Sequence, residues 1–433
     1  MNGELEVVLA DETAHAVLKA SEYLGIQTSV CLDPVDNPRD LTQQLQQKKA
    51  GVTLDAVIVA TPPIAHYDYV KWALSRGIPT LVDKPLTVVR ECTTKPKAAL
   101  RIVKQYEELC KLAKKNKVLD RFAIPVQKRY QVAYKTIAEK VSEVYQQTRY
   151  PVTFVQIVTN DGWRLFPNEF PEKIFHSLKP EYGGGKLCHS GYHFLDIATW
   201  IMRHAGQNGE GCAPIDHAWV TAHAFRPYDS AKHYPERTKD PDPSLKGYSD
   251  YNAYVLVELQ DASNVTQCVI QFTALHEGLS RRGSKEQENA EACRTKIDTL
   301  MLFQGPMFFA SLRRIAKITG IKNGAALGDD RHLELQFAYC GAGGTGRVEE
   351  FDFGKSAPST PGMCGDDSKA TLQFLDAVIG KKTGARIMSL VRDHEIVIKI
   401  LAAAYESMAI QYCRGRPKSV RVCFTEGSWN PPR

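Results

Sequence analysis

Short apolar runs alternate with helical stretches along the first part of the chain. Residues 5–10 form an apolar run ending in Asp11, and residues 14–24 then place apolar side chains at helical spacing. Residues 54–60, Leu-Asp-Ala-Val-Ile-Val-Ala, are apolar enough for a strand buried on both faces. Thr61-Pro62-Pro63 stops it, and a helical period resumes over 66–75 before Gly77. A short strand at 79–82 leads into Asp83-Lys84-Pro85, and a helix over 98–115 leads to another apolar segment at 121–125. Strands separated by helices of roughly ten residues or more predict parallel pairing in an α/β sheet over residues 1–126. Residues 127–433 read differently. Strand-like runs at 152–159, 218–225, 254–259, 265–274, 299–303, 333–339 and 348–353 follow one another with short or irregular joins. They predict a large open antiparallel sheet in a second, α+β domain, with helices at 194–204, 369–379 and 393–411. Two polar stretches, 228–250 and 279–296, read as surface excursions.

Composition narrows the class. Of 433 residues, 43% are hydrophobic and 24% charged, so the chain can bury sizeable cores. The net charge of +6 is spread along the length, and the basic residues never gather into a block. That argues against a nucleic-acid partner, and the Lys-rich stretch at 111–117 reads as a solvated helix end. No apolar run approaches the roughly 18 residues of a membrane span, and the acidic start lacks the basic residues of a signal peptide. Eleven cysteines without a Cys-x-x-Cys pair fit reduced thiols in the cytoplasm.

Two glycine clusters invite a functional reading. Gly341-Ala-Gly-Gly-Thr-Gly346 has the G-x-G-x-x-G spacing of a dinucleotide loop, but a strand pattern follows it. Without a helix N-terminus behind it the loop offers no dipole to a phosphate, and a hairpin turn is the better reading. Gly183-Gly-Gly185 instead opens a helical stretch in which His189, His193, Asp196 and Trp200 fall on one face. Two imidazoles and a carboxylate at a helix start are candidate chemistry, although buried, satisfied histidines are also common.

The run 55–66, with its Thr61-Pro62-Pro-Ile-Ala-His66 turn, and the strand ending in Asp83-Lys84-Pro85 resemble the Gfo/Idh/MocA oxidoreductases, relatives of glucose–fructose oxidoreductase and inositol dehydrogenase. The stretch from Gly183 to Asp196 resembles the second signature of that family. Asp376, Tyr405-Glu406-Ser407 and Gly415-Arg416-Pro417 fit its C-terminal part, so the resemblance covers nearly the whole chain. It implies an N-terminal Rossmann-like domain, a nicotinamide cofactor (NAD, with NADP the alternative) and hydride transfer at a secondary alcohol of a sugar, cyclitol or related polyol. It also implies a homodimer or homotetramer, since members commonly pair their open sheets face to face. In it Lys84 contacts substrate oxygen and cofactor ribose, His193 is the general acid/base, and Thr61, Pro62, His66, Asp83 and Pro85 line the path of the cofactor.

Asp11 matches the residue that accepts from the ribose hydroxyls in NAD-preferring folds, though a helix N-cap explains it nearly as well. Arg129 belongs to the stretch entering the second domain and is expected to reach the cleft. Trp163 and Asp196 are candidate substrate contacts; Trp163 has an ordinary packing role as its alternative, and Asp196 has the orientation of His193. Three departures from the family pattern stand out. The chain starts where the second family strand would be, so the first strand and its glycine loop are expected to be missing. Asp83 replaces the usual Glu. His189 replaces an Asp, and either relays a proton, hydrogen-bonds the substrate or caps the helix. Two other readings compete. One is a non-catalytic regulator that senses dinucleotide or sugar. The other is a metal site at Cys188, His189, His193 and Asp196, disfavoured by Gly191 and by the lack of a further Cys/His cluster.

Overall fold

The computed structural model describes residues 7–10, 28–32, 43, 54–160, 184–204, 214–226, 248–275, 293–319, 321–322, 325–326, 329–340, 346–355, 367–379 and 387–429. Asp11, Trp163, the helical stretch at 14–24 and residues 341–345 of the glycine-rich turn lie outside them. Every strand pair described in the N-terminal part is parallel, as the strand–helix alternation predicts. Val7–Ala10 (β1) pairs with Thr28–Leu32 (β2). Val57–Val59 (β3), Thr80–Val82 (β4) and Phe122–Ala123 (β5) form a three-stranded parallel sheet in that order. Two helices link its strands. Pro63–Ser75 (α1) starts directly after Pro62, with proline in the first turn where a missing N–H costs nothing. Pro96–Lys115 (α2) buries Ala99, Ile102, Tyr106, Leu109 and Ala113, a 3-4-3-4 spacing that defines one face. Lys114 and Lys115 sit in its last turn, where cations suit the helix dipole.

Val132–Thr148 (α3) then leads into the large sheet. Its strands are Phe154–Asn160 (β6), His217–Phe225 (β7), Asn252–Gln260 (β8), Thr266–Leu275 (β9), Cys293–Gly305 (β10), Phe308–Thr319 (β11), Asp329–Cys340 (β14), Gly346–Lys355 (β15) and Val420–Cys423 (β16). A separate two-residue ladder joins Ile321–Lys322 (β12) to Ala325–Ala326 (β13). The nine strands run in the order β15-β14-β11-β10-β6-β9-β8-β7-β16. The expected antiparallel sheet differs in one place: β6 and β9 pair in parallel. The chain between them passes through the helix Tyr192–His204 (α4) and the strands β7 and β8, so β9 returns beside β6 in the same direction. Either side of the glycine-rich turn, β14 and β15 pair antiparallel, with Cys340 opposite Gly346.

Alternate residues of the sheet point to a buried face and an open one. Val255, Val257, Ile270, Phe272, Val155, Ile157, Met301, Phe303, Leu312 and Phe337 are buried on the first. Glu395–Arg414 (α6) packs there on β7 and β16 and touches α2 as well, joining the sheet to the parallel domain. The segment Val391–Arg414 is long and apolar enough by composition to cross a membrane, but most of it is buried inside the protein as this central core helix. Asp367–Ile379 (α5) packs near the junction between α3 and the parallel sheet.

Candidate active site

The C-terminal ends of β3 and β4 open toward the second domain, where α/β sheets bind ligands. Beyond β4, Asp83 is exposed, Lys84 half-buried and Pro85 buried, and the Lys84–Pro85 peptide is cis. The Lys84 ammonium donates to the backbone carbonyl of His189, 2.5 Å away across the domain junction. His66, from the first turns of α1, is fully buried beneath this loop. Its Nδ1 lies 2.8 Å from the Pro85 carbonyl and its Nε2 2.7 Å from the Thr61 carbonyl. The neutral ring donates to one of these two carbonyls and packs against the other, so His66 braces the Thr61-Pro62 turn against the Lys84 loop. Burial lowers its pKa below the ordinary imidazole value.

The second half of the site starts at Gly184. Leu187–Gly191 form a π-helical turn that runs directly into α4. The wider turn shifts the phase of His189 against the helix that follows, so it leaves the expected common face, while His193, Asp196 and Trp200 keep helical spacing within α4. His189 is exposed and His193 partly buried, whereas Asp196 and Trp200 are buried. The turn is held from outside by Asp250, just ahead of β8. One carboxylate oxygen accepts from Gly185 N at 3.1 Å, the other from Leu187 N at 2.8 Å, and the Asp250 carbonyl accepts from Lys186 N at 2.8 Å. Burial pushes the Asp250 carboxyl up to about 6, against the pull of these amides and of Arg226. The glycines are needed for closeness. A Cβ at Gly185 would come within 2.1 Å of the Asp250 carbonyl oxygen, and one at Gly184 within 2.1 Å of the Tyr405 hydroxyl.

His193 sits between cations. Burial pushes its pKa well below the ordinary imidazole value, and the charges of Lys84 and Lys128 push the same way. Its Nδ1 is buried without a hydrogen-bond partner among the described residues, as are the hydroxyls of Ser190 and Thr61. The neutral ring can therefore take a proton from a ligand group placed beside it. Lys128 stands 4.1 Å from the ring centroid of Phe194, the next residue.

Arg129 and Asp196 depart from their expected places as substrate contacts. Both are fully buried, and the guanidinium grips the carboxylate with two bonds, Nε to Oδ2 at 2.9 Å and Nη2 to Oδ1 at 2.5 Å. A third bond joins Nη1 to the Met388 carbonyl at 3.1 Å. On the far side Asp196 Oδ1 lies 3.1 Å from His394 Nδ1, and Ser389 Oγ lies 2.7 Å from His394 Nε2. One neutral tautomer satisfies both contacts, with Nδ1–H donating to Asp196 and the serine hydroxyl donating to Nε2. Burial works against the Asp196 carboxylate, but Arg129 and His394 outweigh it and hold its pKa well below the usual range. The network ties α4 to the loop ahead of α6 and leaves Asp196 no oxygen for a sugar.

Sequence reasoning missed Asp250, Lys128 and the His394–Ser389 pair. Lys128 was within reach, because it precedes the candidate Arg129. Asp250 stood in a polar stretch with nothing to distinguish it from its neighbours. Among the described residues no group of three His, Cys, Asp or Glu side chains is arranged to hold a metal ion. Cys188 and His189 in particular face different surroundings, one buried and one exposed.

The residues fit a dinucleotide. Among the described residues the N-terminus of α1 has no side-chain cap, and the Thr61 hydroxyl beside it has no partner. Residues 4–119 match the model of an oxidoreductase family with an NAD-binding Rossmann fold, Gfo/Idh/MocA. No curated protein matches the chain. Solved structures share its fold, three of them as follows. An oxidoreductase domain protein from Kribbella flavida is 15% identical with a TM-score of 0.58, over 98% of this chain and 91% of its own. An Agrobacterium radiobacter oxidoreductase, crystallised with NAD+, L-tartaric acid and magnesium, is 14% identical with a TM-score of 0.54, over 96% and 90%. A super-repressor mutant of Gal80p from Saccharomyces cerevisiae is 13% identical with a TM-score of 0.55, over 98% and 90%. The chain is thus similar to the Gfo/Idh/MocA oxidoreductases in sequence over residues 4–119 and in fold over nearly its whole length.

Proposed function

We propose that this protein is an NAD-dependent oxidoreductase acting on a secondary alcohol of a sugar, cyclitol or related polyol in the cytoplasm. The observation that carries the reading is the bond by which Lys84 reaches the turn that leads to His193. Lys84 arrives at the end of a parallel strand and reaches the His189 carbonyl, one helical turn before His193. NAD, when bound, supplies the hydride acceptor. The protein supplies the rest. The Lys84 ammonium, placed at the substrate oxygen, lowers the cost of the alkoxide that develops as the C–H bond breaks. The neutral His193 ring takes the hydroxyl proton, and exposed His189 offers a route for that proton to water. Thr61, Pro62, Asp83 and Pro85 are proposed to line the cofactor cleft, with His66 holding their two loops together. The division at residue 126 is proposed as the domain boundary.

A homodimer or homotetramer is proposed to form through the open sheet face. The fold similarity to Gal80p favours a second reading, a regulator without turnover. Incubating the protein with NAD and a panel of polyols, and following NADH by absorbance, separates the two. The proposal expects turnover of at least one polyol. Tight NAD or sugar binding without turnover on any of them supports the regulator.

A further inference from the structure

We propose that Asp250 is a positioning residue for His193: it clamps the glycine-rich entry of the π turn and so fixes the distance between His193 and Lys84. The inference rests on the oxidoreductase reading above. Three consecutive amides, at Gly185, Lys186 and Leu187, all donate to this single residue. These are N–H groups that the start of a helical segment cannot satisfy internally. An ordinary cap sits just before the helix it serves. Asp250 is separated from Leu187 by 63 positions and belongs to the lead-in of β8. The clamp therefore ties the histidine-bearing turn to the sheet.

It also reaches the lysine side. Ser249 Oγ, next to Asp250, is 3.2 Å from Thr93 Oγ1, on the segment that continues from Lys84-Pro85. Arg226, whose charge favours the ionised Asp250, donates to the Thr93 carbonyl at 2.6 Å. The two short segments 249–250 and 226 thus touch both arms of the site. Gly184 and Gly185 are the counterpart of the clamp, since any side chain at 185 would meet the Asp250 backbone. The clamp is also rigid, because both carboxylate oxygens and the carbonyl are occupied on fully buried groups. Reacting groups need placement to within a fraction of an ångström, and a misplacement of about 1 Å costs on the order of a hundredfold in rate.

Asp250→Asn tests this, because it keeps the shape but turns an NH2 group toward one of the two amides that the carboxylate served. In the full-length protein, hydrogen–deuterium exchange of the peptide covering 185–191 is expected to quicken about tenfold, the cost of one such bond. Exchange in β6 to β9 is expected to stay the same. With a polyol that wild type oxidises, kcat is expected to fall about tenfold or more while KM for NAD holds. Asp250→Glu keeps the charge but moves it by one methylene, and is expected to fall between Asn and wild type; it carries the comparison if the Asn protein does not fold. Unchanged exchange at 185–191, or a rise spread evenly over the whole chain, overturns the clamp. Faster local exchange with wild-type kcat overturns its role in positioning. A wild-type protein that oxidises no polyol defeats the oxidoreductase reading instead, and the exchange data then decide the clamp alone.

Discussion

At the scale of single residues the proposed function assigns the chemistry to two cations and one imidazole of the cleft, Lys84, Lys128 and His193. Lys84→Ala removes the charge that stabilises a developing alkoxide, and kcat is expected to fall about a hundredfold, as for the loss of one preorganised donor. His193→Ala is expected to cost a similar factor, recovered in part at high pH where hydroxide replaces the base; steady-state kinetics over a pH series measures both. The acid limb of the profile has a definite sign. Burial, Lys84 and Lys128 all hold the His193 pKa below its ordinary value, so the neutral base persists into acid. Lys128→Met removes one of the cations, so the limb should move to higher pH. A limb that stays in place would show that another group limits the rate.

The elements show what the sequence pattern carried and what it could not. The apolar run at 265–274 forms a strand as expected, whereas the run at 54–60 forms one only over Val57–Val59 and leaves Ile58 51% exposed, so it is not buried on both faces. The tripeptide Asp83-Lys84-Pro85 was readable because a short motif marks a strand end. The π turn was not: its cost is met by Asp250 and by glycine packing, partners remote in sequence. Charge normally seeks water, so sequence alone points Arg129 and Asp196 toward the cleft, and only the fold reveals that each buries the other. Breaking that pair should be expensive. Asp196→Ala leaves Arg129 uncompensated in the core and is expected to destabilise by about 3–5 kcal/mol in chemical denaturation. The folded-state pKa of Asp196 is depressed, so its contribution is complete above about pH 4 and drains away as pH falls. Stability of the wild type should therefore drop more steeply in acid than that of the variant. Gly185→Ala and Gly191→Ala separate two kinds of closeness. At 185 the obstacle is backbone, and a loss of about 3 kcal/mol is expected; at 191 the nearest atoms, 3.0 Å away on Leu187 and Phe272, are side chains that can yield, and about 1 kcal/mol suffices.

For the whole molecule, the open face of the nine-stranded sheet is the feature without a covering layer among the described residues. Strand register places its side chains in continuous rows. Leu256 lies opposite Gln271, then Gln156, Leu302 and Ser311 across β9, β6, β10 and β11. The neighbouring row runs through Phe154, Gln304, Phe309, Ala338 and Val348. Phe225, Tyr254, Leu256, Phe309 and Val348 are all at least 37% exposed, and the Phe225 and Tyr254 rings meet edge to face with centroids 5.4 Å apart. A sheet face left to water alternates to polar residues, whereas this one mixes aromatics and aliphatics with Gln, Thr and Glu. That mixture suits a contact between folded protomers more than a core. A second copy of the chain can present the same rows in a two-fold arrangement, since such an interface needs only to complement itself. Leu256→Glu places a charge on the exposed face of β8, where burial against a second copy would be costly. Light scattering coupled to size exclusion is expected to find wild type at two or four protomers and Leu256→Glu as a monomer with unchanged circular dichroism. Lys84 and His193 lie on the other side of the sheet, toward the parallel domain, so the monomeric variant should keep kcat within about twofold of wild type, as is usual for surface substitutions remote from the chemistry. A wild-type monomer would mean that the face meets a different partner or none, and a variant that dissociates and also loses kcat would tie the site to the assembly.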